Sequence, residues 1–227
     1  MEATLPPRLS PKGERTREHI LETALRLFVE KGYESTTMRD IAAAAETSLG
    51  LTYRYFSRKE DLVIAIYQRQ TEELMQDVQA LPPTTIAQRF ELVMQARLDR
   101  IGPYRDAVAA FFGAALTPQS GIAVLGDSTS ALRQQAGEIF YLVVAGASDA
   151  PRKRQTQQLA TILYAAHLTL LLFWFNDRSP GYQHTHELIR LTRDVLGIIR
   201  PVLGFPPLAK FLQRLCKAIT PVFGTIA

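Results

Sequence analysis

The sequence predicts an all-α chain: a small N-terminal helical unit holding a helix-turn-helix, then a larger helical bundle. Three observations carry this. Apolar residues recur at helical spacing along most of the chain. Ser or Thr precedes these runs and Gly or Pro follows them, at intervals of one helix length. No stretch alternates apolar and polar residues as a half-buried strand does.

Residues 1–13 carry Pro6, Pro7 and Pro11 without periodicity and are expected to be a flexible tail, from which Arg8 and Lys12 can reach a phosphate backbone. From Glu14 the first helix begins, with Ile20, Leu21, Ala24, Leu25 and Phe28 on one face and Gly32 as its stop. Thr37 with Asp40 forms a capping box for a short second helix ending near Ala45. Thr47-Ser48 caps a third, to about Tyr55. Ser57 with Glu60 is expected to open a long fourth helix through Leu62, Ile66, Tyr67 and Leu74. Pro82-Pro83 breaks the chain. Helices are then expected near 84–101, 104–116, 128–145, 153–176, 181–203 and 206–220, divided by Gly102-Pro103, Pro118–Gly121, Asp149–Pro151, Ser179–Gly181 and Gly204–Pro207.

Composition narrows the class. Cys216 is the single cysteine, so no internal disulfide and no CxxC metal pair can form. His184 and His186 stand two apart on a helix and do not face each other, which argues against a metal site. The apolar run 162–175 is broken by His167 and Thr169 and is short for a membrane span, and no apolar segment follows Met1-Glu2 as a secretory signal would require. A cytoplasmic chain with no cofactor is the expectation. Net charge is +4, yet residues 1–70 hold 11 basic and 10 acidic side chains. Any nucleic-acid footprint must come from local placement of charge, not from a basic domain.

Two short helices joined by about three residues, between two longer ones, make a helix-turn-helix at about 37–56. In such a motif the second helix enters the major groove of double-stranded DNA. From about Arg15 to Leu74 the residues resemble the TetR family of transcriptional regulators: "ILETALRLFVEKGYESTTMRDIAAAA", then "GLTYRYFSRKEDLV". The resemblance places the DNA-binding domain at 14–74 and a dimerisation and effector domain at 75–227. It implies a homodimer on a palindromic operator, most often a repressor released by a small-molecule effector. It assigns Thr37, Ser48, Tyr53 and Lys59 to phosphate, and Gly50, Leu51 and Arg54 nearer the base edges. Thr37 and Ser48 are caps as well, and Tyr55 and Phe56 are expected in the core. The chain departs from the family pattern in three places. Glu46 replaces a turn glycine, at a cost of about 1 kcal/mol if that position needs positive φ. Leu49 replaces a lysine that touches phosphate. Thr47 and Thr52 stand where aliphatics pack.

In the second half, residues 153–176 are apolar nearly all round, which implies burial on every side. Leu168, Leu171, Leu172 and Phe175 from this helix, with Leu188, Leu191, Val195 and Ile199 from the next, are the expected dimer interface; a plain core helix is the competing reading. Phe111, Phe112, Tyr141, Tyr164 and His167 are the candidates for an effector pocket. Two other functions remain open on sequence alone. One is a helical protein–protein adaptor with a degenerate helix-turn-helix. The other is a small all-α enzyme, although no nucleophile elbow, HExxH or phosphate-cradling loop is present.

Overall fold

The computed structural model describes residues 10–115 and 130–223. Arg8, the expected break at Pro118–Gly121 and the first two residues of the helix expected over 128–145 lie outside them. Among the described residues there are ten α-helices and no strand.

The N-terminal unit is α1 (Pro11–Lys31), α2 (Met38–Ala44), α3 (Leu49–Tyr55) and the first turns of α4 (Lys59–Ala80). The first helix begins three residues earlier than expected, because the Ser10 hydroxyl accepts the Gly13 N–H at 3.2 Å and Pro11 sits at the first helical position. It ends at Gly32, whose N–H still bonds back to the Phe28 carbonyl at 3.1 Å and whose φ of 85° turns the following chain out of the helix. Ile20, Leu21, Phe28, Ile41, Phe56, Leu62 and Ile66 close one core, so the two seven-residue helices are held by packing and not by their own propensity.

The α4 start differs from expectation by one residue. Arg58, not Ser57, is the N-cap, and its N–H donates to Asp61 Oδ2 at 3.0 Å. Ser57–Glu60 and Arg58–Asp61 both satisfy the box spacing. The structure uses the second, with the Asp61 carboxylate accepting both the Arg58 N–H and its guanidinium.

The bundle comprises α5 (Ile86–Ile101), α6 (Arg105–Ala115), α7 (Ser130–Ala145), α8 (Lys153–Asn176), α9 (Gln183–Ile199) and α10 (Pro206–Phe223). α4 packs on α1 at one end and on α5, α6 and α7 along its length, so it belongs to both units. Buried Arg89 ties helix ends together. Its guanidinium donates to the carbonyls of Val78, Leu81 and Pro82 at the end of α4, and of Leu142 and Val143 near the end of α7. Gly146 makes room for it: a Cβ there would stand 2.7 Å from Arg89 Nη2.

α9 starts two residues later than expected. Pro180–Tyr182 forms a 3-10 turn, and Asp177 caps the helix by accepting the Thr185 N–H at 2.9 Å and its hydroxyl at 2.6 Å. α8 is long and apolar enough to cross a membrane, but most of its apolar stretch is buried between α7, α9 and α10. This corrects part of the expected dimer interface. Leu171 is fully buried and Leu168 nearly so, both inside the protomer. α10 lies along α8 within the same protomer. Leu172 and Phe175 are half-buried against the same core.

Candidate nucleic-acid interface and internal cavity

The recognition helix α3 is built from two faces. Thr52 and Phe56 point inward, the first completely buried. Gly50, Tyr53 and Arg54 are exposed, at i, i+3 and i+4 on the opposite side. Tyr53 keeps 46% of its surface although it sits on a helix with a full core behind it. Leu51 is half-buried between the two faces.

The threonines that stand in aliphatic positions satisfy one another. The Thr47 and Thr52 hydroxyls lie 2.9 Å apart, and Thr52 Oγ1 donates to the Ser48 carbonyl at 3.2 Å. A buried hydroxyl pair therefore pins the turn to α3, without an unsatisfied polar atom. Leu49 is half-buried and packs against the core. The substitution gives the helix start an apolar anchor in place of a cation.

Glu46 adopts φ 52°, the left-handed conformation that a glycine fits. Glu46→Gly is expected to raise stability by about 0.5–1 kcal/mol, read as a higher urea midpoint at unchanged slope. A midpoint that falls would show that the strain is offset elsewhere.

Thr37 and Lys59 are tied internally. Thr37 Oγ1 donates to Asp40 Oδ2 at 2.6 Å, the Thr37 N–H reaches the same oxygen at 2.9 Å, and these bonds hold the Asp40 carboxyl below its ordinary pKa. Lys59 Nζ donates to the carbonyls of Tyr33 at 2.7 Å and Thr36 at 3.2 Å and sits 4.0 Å over the Tyr33 ring. It fastens the start of α4 to the link between α1 and α2, a role that its sequence position did not reveal. Ser48 is exposed, and its hydroxyl accepts the Leu51 N–H at 3.1 Å.

Of the five pocket candidates, Phe111, Phe112 and Tyr164 line one small cavity, together with Tyr67, Leu132, Arg133, Ala136 and Leu168. Tyr141 is half-buried and does not line it. His167 is fully buried beside it, with ring centroids 4.9 Å from Phe140 and 6.0 Å from Tyr164. Burial and then the nearby Arg97 charge hold its pKa well below the ordinary range, so the ring is neutral. Tyr67 was missed as a lining residue because it lies on α4, which reads as part of the DNA-binding unit. Leu168 was expected at the dimer interface and instead faces the cavity.

Residues 20–66 match the family described as bacterial regulatory proteins, tetR family, and residues 89–212 match the tetracyclin repressor-like C-terminal domain. The second match alone spans more than half of the chain. The chain belongs to the TetR family. The HTH-type transcriptional repressor KstR of Rhodococcus jostii is 31% identical over 186 residues, covering 80% of this chain and 82% of that protein. An HTH-type transcriptional repressor of Mycobacterium tuberculosis is 28% identical over 192 residues, covering 84% of this chain and 88% of that one. Among solved structures, a TetR transcriptional regulator from Nitrosomonas europaea superposes with a TM-score of 0.60 at 20% identity, covering 80% of this chain and 97% of that one. A tetR-family regulator from Streptomyces coelicolor gives 0.55 at 22% identity, covering 90% and 89%. The exposed face of α3 is thus the surface of a TetR-family helix-turn-helix, and the chain is a DNA-binding transcriptional regulator.

Proposed function

We propose that this TetR-family regulator acts in the cytoplasm as a homodimeric repressor without enzymatic activity. It occupies a palindromic operator and is released when a small molecule fills the cavity between α4, α6, α7 and α8. The observation that carries the reading is the path of α4. This one helix is fastened at Lys59 to the helix-turn-helix and lines the cavity with Tyr67, eight residues and about 12 Å further on. A ligand that repositions Tyr67 therefore moves the base of the recognition unit. It releases DNA only to the extent that it binds the released spacing more tightly than the bound one.

At the DNA, Tyr53, Ser48 and the N-terminus of α4 are assigned to phosphate, and Arg54 to a base edge or a phosphate. Gly50 has no heavy atom within 4 Å of where a Cβ would stand, so DNA can approach its bare backbone closely. Thr37 and Lys59 contribute through the backbone they hold in place. Leu51 sits at the edge of the contact face.

The test is footprinting of the purified protein on DNA flanking its own gene, with a salt titration. A protected two-fold site whose affinity falls steeply between 50 and 200 mM salt, as several phosphate contacts require, supports the reading. Binding that ignores both sequence and salt would favour the adaptor reading.

A further inference from the structure

Behind Tyr67, one of the cavity's lining residues, lies a buried positive charge to which no described carboxylate is paired. Arg97, on α5, is 1% exposed. Its Nη1 donates to Thr71 Oγ1 at 3.1 Å, whereas Nε and Nη2 have no hydrogen-bond partner. Its guanidinium lies 5.0 Å over the Tyr67 ring, and Tyr67 and Tyr164, both in its electrostatic reach, line the cavity. Among the described residues no carboxylate pairs with it.

The other interior arginines show how this chain ordinarily treats a buried guanidinium. Arg89 reaches five carbonyls. Arg105 Nη2 reaches the carbonyls of Trp174, Phe175 and Asp177 at the end of α8 and Nη1 lies 3.7 Å from Asp106 Oδ1, so only Nε is idle. A buried charge is normally paired or fully hydrogen-bonded, and two idle donors on a fully buried guanidinium signal an absent partner. Among the described lining residues Phe111, Phe112, Leu132, Ala136 and Leu168 are apolar.

We propose that the effector is an organic anion: an apolar body between Phe111, Phe112 and Leu168, and a carboxylate that passes Tyr67 and Tyr164 to pair with Arg97. Arg97 Nε and Nη2 form the fork that a carboxylate accepts with both oxygens. Pairing there removes an uncompensated charge from the interior, so the bound state gains over the empty one mainly at this group. This deepens the effector reading above and rests on the cavity being the effector site.

The experiment is thermal unfolding of the full chain with hexanoate, octanoate, phenylacetate and 4-phenylbutyrate, each against its primary amide at equal concentration. At least one acid is expected to raise Tm by several degrees, its amide to raise it little, and Arg97→Met to lose the acid's effect. Failure of all four acids, equal shifts from acid and amide, or a shift kept in Arg97→Met overturns the proposal. The acid–amide contrast in the wild-type chain decides the matter even if the variant does not fold. An acid that shifts Tm but leaves DNA binding unchanged would keep the anion site and sink the effector reading.

Discussion

A Leu191→Asp, Ile198→Asp double variant is expected to be a monomer of 25.4 kDa by sedimentation, where the wild-type chain is expected at twice that mass. The reason lies in the unpartnered face of α9. Leu191, Val195, Ile198 and Val202 follow one another at four, three and four residues, and are 50%, 50%, 74% and 49% exposed. The adjoining face is seated on α5 through buried Ile189 and half-buried Leu188, Leu196 and Ile199, and the Arg193–Glu91 ion pair at 3.0 Å lies beside it. Phe205 and Phe211 extend the exposed apolar surface, at 60% and 59%. An apolar stripe of this kind marks an interface. In a two-fold dimer each substitution acts twice. Removing four buried side chains at about 1.5–3 kcal/mol each withdraws on the order of 6–12 kcal/mol, against about 8 kcal/mol for a micromolar dimer. Facing aspartates add repulsion. Operator affinity is expected to fall at least about 100-fold, because one half-site must then hold the protein alone. The substituted side chains are exposed in the protomer, so its intrinsic stability is expected to change by only about 0.5 kcal/mol each. A variant that stays dimeric would move the interface to another surface, with Phe211 of α10 the first place to look.

The exposed face of α9 was legible in the sequence; the packing of α8 was not. Of the four α9 residues expected at an interface, Leu191 and Val195 stand on the open face beside Ile198 and Val202, whereas Leu188 and Ile199 are half-buried against the protomer's own core. α8 could not be read the same way. Its all-round apolarity says that most sides are covered but not by what, and within the protomer α7, α9 and α10 pack against it. The helix-turn-helix was legible because its caps, its Gly32 stop and its core residues act over three or four positions, the range in which sequence pattern and geometry coincide. Contacts across longer separations were hidden. Lys59 reaches carbonyls 23 and 26 residues away. Arg97 finds Thr71 at a separation of 26. Thr47 and Thr52 looked like two departures from the family pattern, and only their 2.9 Å contact shows them to be one hydroxyl pair. Leu49 looked like a lost phosphate contact, and its packing shows an anchor.

Those internal roles concentrate the expected DNA contact on two side chains, and Tyr53→Ala with Arg54→Ala is expected to weaken operator binding by about 30- to 1,000-fold. A bidentate arginine–guanine contact is worth about 1–3 kcal/mol, a tyrosine hydroxyl on phosphate about 1 kcal/mol, and 1.4 kcal/mol is tenfold. Both side chains are exposed and neither belongs to the core of α3, so Tm is expected to stay within about two or three degrees of wild type. That separates loss of contact from loss of fold. Lys59→Ala makes the opposite control: it removes the bonds to Tyr33 and Thr36, and is expected to lower Tm along with DNA binding. Arg54→Lys then distinguishes the two roles open to Arg54. A lysine keeps the charge but loses the planar fork. If Arg54 holds a phosphate, the variant binds within a few-fold of wild type and keeps its salt slope. If it reads guanine, affinity for the operator falls while affinity for unrelated DNA does not, and discrimination between the two collapses at one base pair in each half-site. A double alanine variant that bound with wild-type affinity would show that the exposed face of α3 does not meet DNA, and that the adaptor reading describes this member of the family.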